Sequence, residues 1–275
     1  MTSEGDQKGP VADDVYHVAY DDLNQLHTQL PEDVVAALAQ EVLKRVAAQM
    51  RDRKADMRSI ADLSNALISP DAKEAARLID ARVAAGVAFN EIYLEYLAPA
   101  AAVLGKRWER DELTFADVTV GTGRVYAIMR AINRRARPAQ PPDKRKALFA
   151  MVPGDDHALG LRMAVDLART QGWDIEPHFD TDHDALVEAI VSSGTHLVGL
   201  SAGGIHALPD LARLVLAIRL SAPTARILVS GHIAEVAAEE VKLLHVDAVT
   251  NPFQDAMAAL TGLWESFQVP AGTEI

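Results

Sequence analysis

Residues 147–152, Ala-Leu-Phe-Ala-Met-Val, form an unbroken apolar run that stops at Pro153-Gly154 and gives way to helical spacing through Leu161-Arg162-Met163-Ala164-Val165-Asp166-Leu167-Ala168. A run this short, apolar at every position and closed by turn residues, reads as a strand buried on both faces. The pattern recurs. Further strands are expected at 173–178, 197–201, 226–230 and 247–249, with helices near 159–171, 184–193, 210–221, 234–244 and 254–267. Such alternation predicts a five-stranded parallel sheet with helices on both faces, a Rossmann-like (flavodoxin-like) α/β domain over 147–270. Ligands of open α/β sheets bind at the carboxyl ends of the strands. The segment Gly154-Asp155-Asp156-His157-Ala158-Leu159-Gly160 therefore places two acids and a histidine where chemistry is expected.

The first half of the chain has a different period. Pro31, followed by Glu32 and Asp33, suits a helix start, and Val35, Leu38, Val42 and Val46 give it one apolar stripe. A second helix is expected over 57–68. A third is capped by Ser69-Pro70 and runs through Ala75, Leu78, Ile79 and Val83 to Gly86. A fourth, over 89–105, should be interrupted at Pro99, and a fifth runs over 115–132. Helices with short connections predict a bundle over 31–133. Residues 1–30 read as a polar tail. Residues 134–146, with Pro138, Pro141 and Pro142 among bases, read as a linker, and the basic run 51–54 as a solvated helix end.

Composition removes several classes. The chain has no cysteine, so disulfides and cysteine-ligated zinc or iron–sulfur centres are excluded. A formal charge of −12 speaks against direct nucleic-acid binding. No apolar run is long enough for a bilayer, and the N-terminus lacks a signal-peptide core, so a cytoplasmic protein without membrane contact is expected. No G-x-G-x-x-G follows the first strand, which argues against a nicotinamide dinucleotide site. The acidic pair also fits a phospho-receiver, but that chemistry wants a carboxylate at the end of the third strand, where this chain has Ser201.

The spacing Asp155-x-His157-x-x-Gly160 resembles the D-x-H-x-x-G signature of cobalamin-binding domains. The resemblance implies a cobalamin tail inserted deep into the sheet, with His157 replacing the cofactor's own base beneath the cobalt. Neutral imidazole suits that role, and a carboxylate two residues away can fix its tautomer. Relatives carry S-x-L after the third strand. Here Ser201-Ala202-Gly203-Gly204 keeps the serine, which the resemblance places against the buried base, and Gly203 leaves room beside it. Their Gly-Gly after the fourth strand is reduced to Ser230-Gly231-His232, in which Gly231 is read as tail-facing and His232 as a loop residue. In the bundle, Leu104-Gly105-x-x-Trp108-Glu109-x-x-Glu112-Leu113 resembles the cap of methionine synthases and of CarH-like light sensors, which implies that Trp108 lies over the upper corrin face. The light sensors' Glu-His pair is replaced by Val118 and Thr119, and the residue after the tryptophan, a histidine in some relatives, is Glu109. An adenosyl group is therefore not expected to be held in the usual way.

Two groups combine such a cap and domain without a catalytic barrel: corrinoid carriers of methyl groups, and AerR/PpaA-type antirepressors that bind a transcription repressor. The long N-terminal segment and the eroded markers favour the second. The expected function is a cobalamin-dependent, light-responsive regulator acting through a protein partner, a transcription repressor, and not an enzyme. A methyl carrier is the alternative. A haem or redox sensor on the same fold is another, with a second axial ligand drawn from His178, His183, His196, His206 or His245.

Overall fold

The structure, a computed structural model, describes residues 57–135 and 145–268. The expected tail, the helix opening at Pro31 and the basic run at 51–54 lie outside the described residues. From Ser59 onward the helical segment and the sheet domain belong to one compact unit.

The helical segment comprises α1 (Met57–Ile68), α2 (Glu74–Ala84), the short α3 (Phe89–Glu91), a π-helical stretch Ile92–Leu97, α4 (Ala98–Glu109) and α5 (Phe115–Arg135). Helix α2 starts later than expected. Ser69 and Asp71 spend their side chains on the amides of Asp71 and Lys73 in the preceding turn, so the serine caps a turn and not the helix. It ends as expected: Gly86, at φ +81°, donates to Val83 O while Val87 donates to Arg82 O, which closes the helix with a left-handed residue. The expected interruption at Pro99 takes the form of the wide π turn just before it. There Ala98 N donates to Tyr93 O, five residues back, immediately ahead of a residue that has no N–H to give. Arg124 Nη1 donates to the carbonyls of Leu67 and Ser69 at 3.0 and 2.6 Å and satisfies the end of α1. The stretch between α5 and the sheet is shorter than the expected linker. Arg134 and Arg135 remain helical, Arg135 pairing with Asp80 at 2.9 Å, and Lys146 already pairs with Asp174 in the sheet.

The sheet contains β1 (Lys146–Met151), β2 (Asp174–His178), β3 (Leu197–Ser201), β4 (Arg226–Ser230) and β5 (Ala248–Val249), all parallel in the order β2-β1-β3-β4-β5. The helices are α6 (Ala158–Thr170), α7 (His183–Ser193), α8 (Leu208–Ser221), α9 (Ile233–Val236), α10 (Ala238–Lys242) and α11 (Phe253–Gln268). The single helix expected over 234–244 is two short ones that meet at Ala237. Ile233, Ala237 and Val241 nevertheless stay on one buried stripe.

Alternation along the strands builds two cores. Leu148 and Ala150 of β1 join Val198, Leu200, Ile227 and Val229 beneath α7 and α8. Ala147, Phe149 and Met151 join Leu197 and Leu228 beneath α6 and α11. Both faces are buried, which is why these strands read as continuous apolar runs.

The end of the sheet opposite the strand carboxyl termini is tied by Asp247. Its carboxylate accepts from Arg219 Nη2, Arg226 Nη1 and the Ile227 amide, each at 2.8 Å. Burial opposes its ionisation, but Arg219, the Ile227 amide and Arg226 outweigh it and hold the carboxyl below the usual carboxylate range. A depressed value stabilises the fold above the ordinary carboxylate pKa and loses that contribution as pH falls through the folded one. Asp247→Asn should lower unfolding free energy at neutral pH by about 1–3 kcal/mol in urea titrations, a deficit that shrinks below about pH 4.

Candidate functional site

The strand order reverses direction between β1 and β3, and the loops that leave these two strands meet above that switch point. After β1 the chain turns at Gly154, and Asp155 N donates to Val152 O at 3.1 Å. The Asp155 side chain is 1% exposed. One carboxylate oxygen accepts from the His157 amide at 2.9 Å and from His157 Nδ1 at 2.8 Å, and the other accepts from the Gly203 amide after β3. Burial works against the charge, yet the amides of Gly203 and His157 and the imidazole outweigh it, so Asp155 stays ionised below the usual carboxylate range. This pattern assigns the proton to Nδ1. Asp156 Oδ1, 3.0 Å away, supports the same edge. Nε2 is left with its lone pair on a ring that is 61% exposed, the form of histidine that ligates a transition metal.

Gly203 is required for this geometry. A Cβ there would lie 2.3 Å from His157 Nδ1 and 3.0 Å from the Asp155 carboxylate. His206, on the short turn Ile205–Ala207, stands with its ring centroid 6.0 Å from that of His157.

Beneath the loops lies a cavity of about 330 Å³ between the sheet and the pair α6 and α11. Its cause can be read along the strands. On the face towards α6 and α11 the central strands carry Gly199, Ser201 and Ser230, where the opposite face carries Val198, Leu200 and Val229. Gly199 lets the Phe149 ring lie against the strand, 2.9 Å from where a Cβ would be, and the two serines beside it leave a slot that the helices do not fill. Gly160 and Ala164 continue it along α6, and Leu94 and Ala98 of the helical segment also line it. Thr250 Oγ1 is buried on this wall without a hydrogen-bond partner. A Cβ built on Gly160 meets nothing within 4 Å. An elongated, mostly apolar ligand with a few polar groups fits such a lining.

Of the residues singled out from sequence, Asp155, His157 and Gly203 form the hydrogen-bonded centre, and Gly160, Ser201 and Gly231 line the slot. Gly231 has φ +94°, and a Cβ there would sit 2.6 Å from Ala202 O. Trp108 ends α4 half-exposed and is not part of the slot lining. His232 is the loop histidine expected, with Nδ1 2.9 Å from Glu235. His178 is paired with Glu176, and His196 lies against the Phe267 ring. Sequence reading passed over Gly199, Ser230 and Thr250. A glycine inside a buried strand was the available signal, because it marks close approach of another group.

Residues 145–261 match the family model of the B12 binding domain, and residues 59–133 match a second model of the same description, which covers the helical segment. The chain is a B12-binding domain protein with a helical cap. The monomethylamine corrinoid protein of Methanosarcina barkeri shares the fold at a TM-score of 0.62 and 18% identity, over 77% of this chain and all of that one. A cobalamin-binding protein from Desulfitobacterium hafniense is similar over 76% of this chain and 97% of its own, at 17% identity and a TM-score of 0.38. An uncharacterized 20.5 kDa protein of the bchF-crtJ intergenic region of Rhodobacter capsulatus is 24% identical over 177 residues, 63% of this chain and 92% of that protein. Among the described residues no helix is long and apolar enough to cross a membrane.

The B12-binding domain offers a slot that can be filled without disturbing its core. Gly160→Leu points into open space, so its melting temperature should stay within a few degrees of the parent while cobalamin retained after desalting falls at least about tenfold. Retention equal to the parent's would count against the slot as the cofactor's path.

Proposed function

We propose that His157 is the lower cobalt ligand, held by Asp155, and that the protein is a light-responsive cobalamin regulator acting on a protein partner. The observation that carries the cofactor reading is the buried Asp155 carboxylate, which pins Nδ1 of His157 and leaves Nε2 free. In this reading the cofactor tail enters along Gly160, Ser201 and Gly231, with Thr250 Oγ1 as a waiting polar contact. Trp108, half-exposed at the end of α4, covers the outer face.

An alkylcobalamin held by these residues would supply a cobalt–carbon bond that light can break. The chain supplies the means of reading the change. Tyr93 Oη donates to Asp166 Oδ2 at 3.1 Å, and Arg162 of α6 lies 5.4 Å from the Tyr126 ring of α5, so the cap is held to the sheet domain by a few polar contacts. Burial and then the Asp166 charge push the Tyr93 hydroxyl well above its ordinary value, which keeps it a donor. The ligand can move the cap only as far as its affinities for two cap positions differ. The partner we infer is a transcription repressor, engaged without contact to DNA. The relative from the bchF-crtJ intergenic region, together with the resemblance of the cap and strand-end markers to AerR/PpaA-type antirepressors, supports this. The likeness to a corrinoid protein supports the second reading, a methyl carrier.

Protein loaded with adenosyl-, methyl- or hydroxocobalamin should keep a corrin spectrum after desalting; the adenosyl- and methyl-loaded forms should change it on illumination, and the hydroxo form, which has no cobalt–carbon bond, should not. His157→Ala should shift the spectrum in the dark. An unchanged spectrum in that variant would remove His157 as a ligand. Retained corrin without a light response, together with methyl turnover alongside a methyltransferase, would establish the carrier instead.

A further inference from the structure

A different face of α6 borders an open cleft of about 860 Å³ shared with α5. Tyr126, Arg130 and Arg134 stand four residues apart on α5 and so share one face. Arg162, Asp166 and Arg169, at steps of four and three, likewise share one face of α6, and Phe179, beyond β2, completes the wall.

The charge of this cleft is unlike that of the chain. Acidic residues outnumber basic ones 39 to 27 over the whole sequence, yet four arginines and a single aspartate line this cleft. That carboxylate, Asp166, accepts the Tyr93 hydroxyl. Elsewhere arginines meet acids, as in Arg77 with Asp71, Arg135 with Asp80 and Arg226 with Asp247. None of Arg130, Arg134, Arg162 and Arg169 makes an ion pair with a described residue. Two of the four are positioned in advance. The Arg162 guanidinium lies 4.1 Å from the Phe179 ring centroid and 5.4 Å from that of Tyr126, and Arg169 Nη2 donates to Ile175 O at 2.8 Å. Planar forks held against aromatic rings keep edge N–H donors free for oxyanions.

We propose that this cleft binds a pyrophosphate-bearing small molecule, with Arg162 and Arg169 as the fixed donors and Arg130 and Arg134 as the mobile ones. Four guanidinium groups against one carboxylate call for a ligand of several negative charges held close together, which adjacent phosphoryl groups provide and a single carboxylate does not. The volume accommodates a nucleotide as well as the free anion. Because Asp166 lines the cleft and also holds Tyr93, an occupant there bears on the contact between cap and sheet domain.

Isothermal titration of the full chain, with inorganic pyrophosphate and with ADP as probes, tests the proposal. Each titration is run without cobalamin and again with saturating hydroxocobalamin, so that the result does not hang on the corrin reading. Saturable binding is expected in both conditions. Arg130→Ala with Arg134→Ala should weaken it at least about tenfold, and Arg162→Lys should weaken it as well, while Arg77→Ala leaves it unchanged. ADP binding tighter than pyrophosphate would identify a nucleotide, and equal affinity the free anion. No saturable heat with either probe would overturn the proposal. So would equal loss in the Arg77→Ala control, or displacement of the probes by cobalamin, which would make the cleft part of the corrin site.

Discussion

The site depends on one buried carboxylate. Asp155 lies in the loop after β1, yet one of its oxygens is bonded to the amide of Gly203 after β3, so it joins the two loops that part at the switch point of the sheet. The other oxygen holds His157 by its amide and by Nδ1. Three N–H donors hold the buried carboxylate in its ionised form, and an anion so placed fixes both the orientation and the tautomer of the imidazole. Strand order, loop closure and the orientation of the imidazole thus converge on a single side chain. Glycine at 203 is the steric condition for it, since a Cβ there would clash with the Nδ1 edge of the His157 ring.

The slot has an equally simple origin. A parallel sheet covered by helices on both faces normally fills each face with branched side chains. Here one face does so with Val198, Leu200, Ile227 and Val229, while the other presents Gly199, Ser201 and Ser230 in its centre. The missing side chains leave space that α6 cannot close, because Gly160 and Ala164 face it. Packing is asymmetric by residue choice alone, and the asymmetry marks the face that admits a ligand. The cap adds Leu94, from the π-helical stretch, and Ala98, from the start of α4, to the same wall.

Much of this was legible in the residues. The third and fourth strands lie where the apolar runs put them, because strands buried on both faces leave an uninterrupted signal. Asp155, His157 and Gly160 stood out by spacing, since their contacts are local to one loop and the helix it opens. What spacing could not reveal was contact across strands. Gly203 reaches Asp155 from 48 residues away, and Ser230 is brought beside Ser201 by register. The arginine cleft escaped for the same reason: Arg130, Arg134, Arg162 and Arg169 lie on two helices whose facing is a tertiary fact. Local competition explains the smaller differences, as where Ser69 caps a turn instead of α2.

The central claim is that His157, oriented by Asp155, takes the place of the cofactor's own base. Electron paramagnetic resonance of the protein loaded with cobalamin and reduced to the cobalt(II) state tests it directly, using chain labelled with ¹⁵N only in histidine. The account predicts that the nitrogen splitting on each cobalt line changes from a triplet to a doublet on labelling. A triplet that persists in the labelled protein would mean that the ligand nitrogen does not come from the chain, and would contradict it.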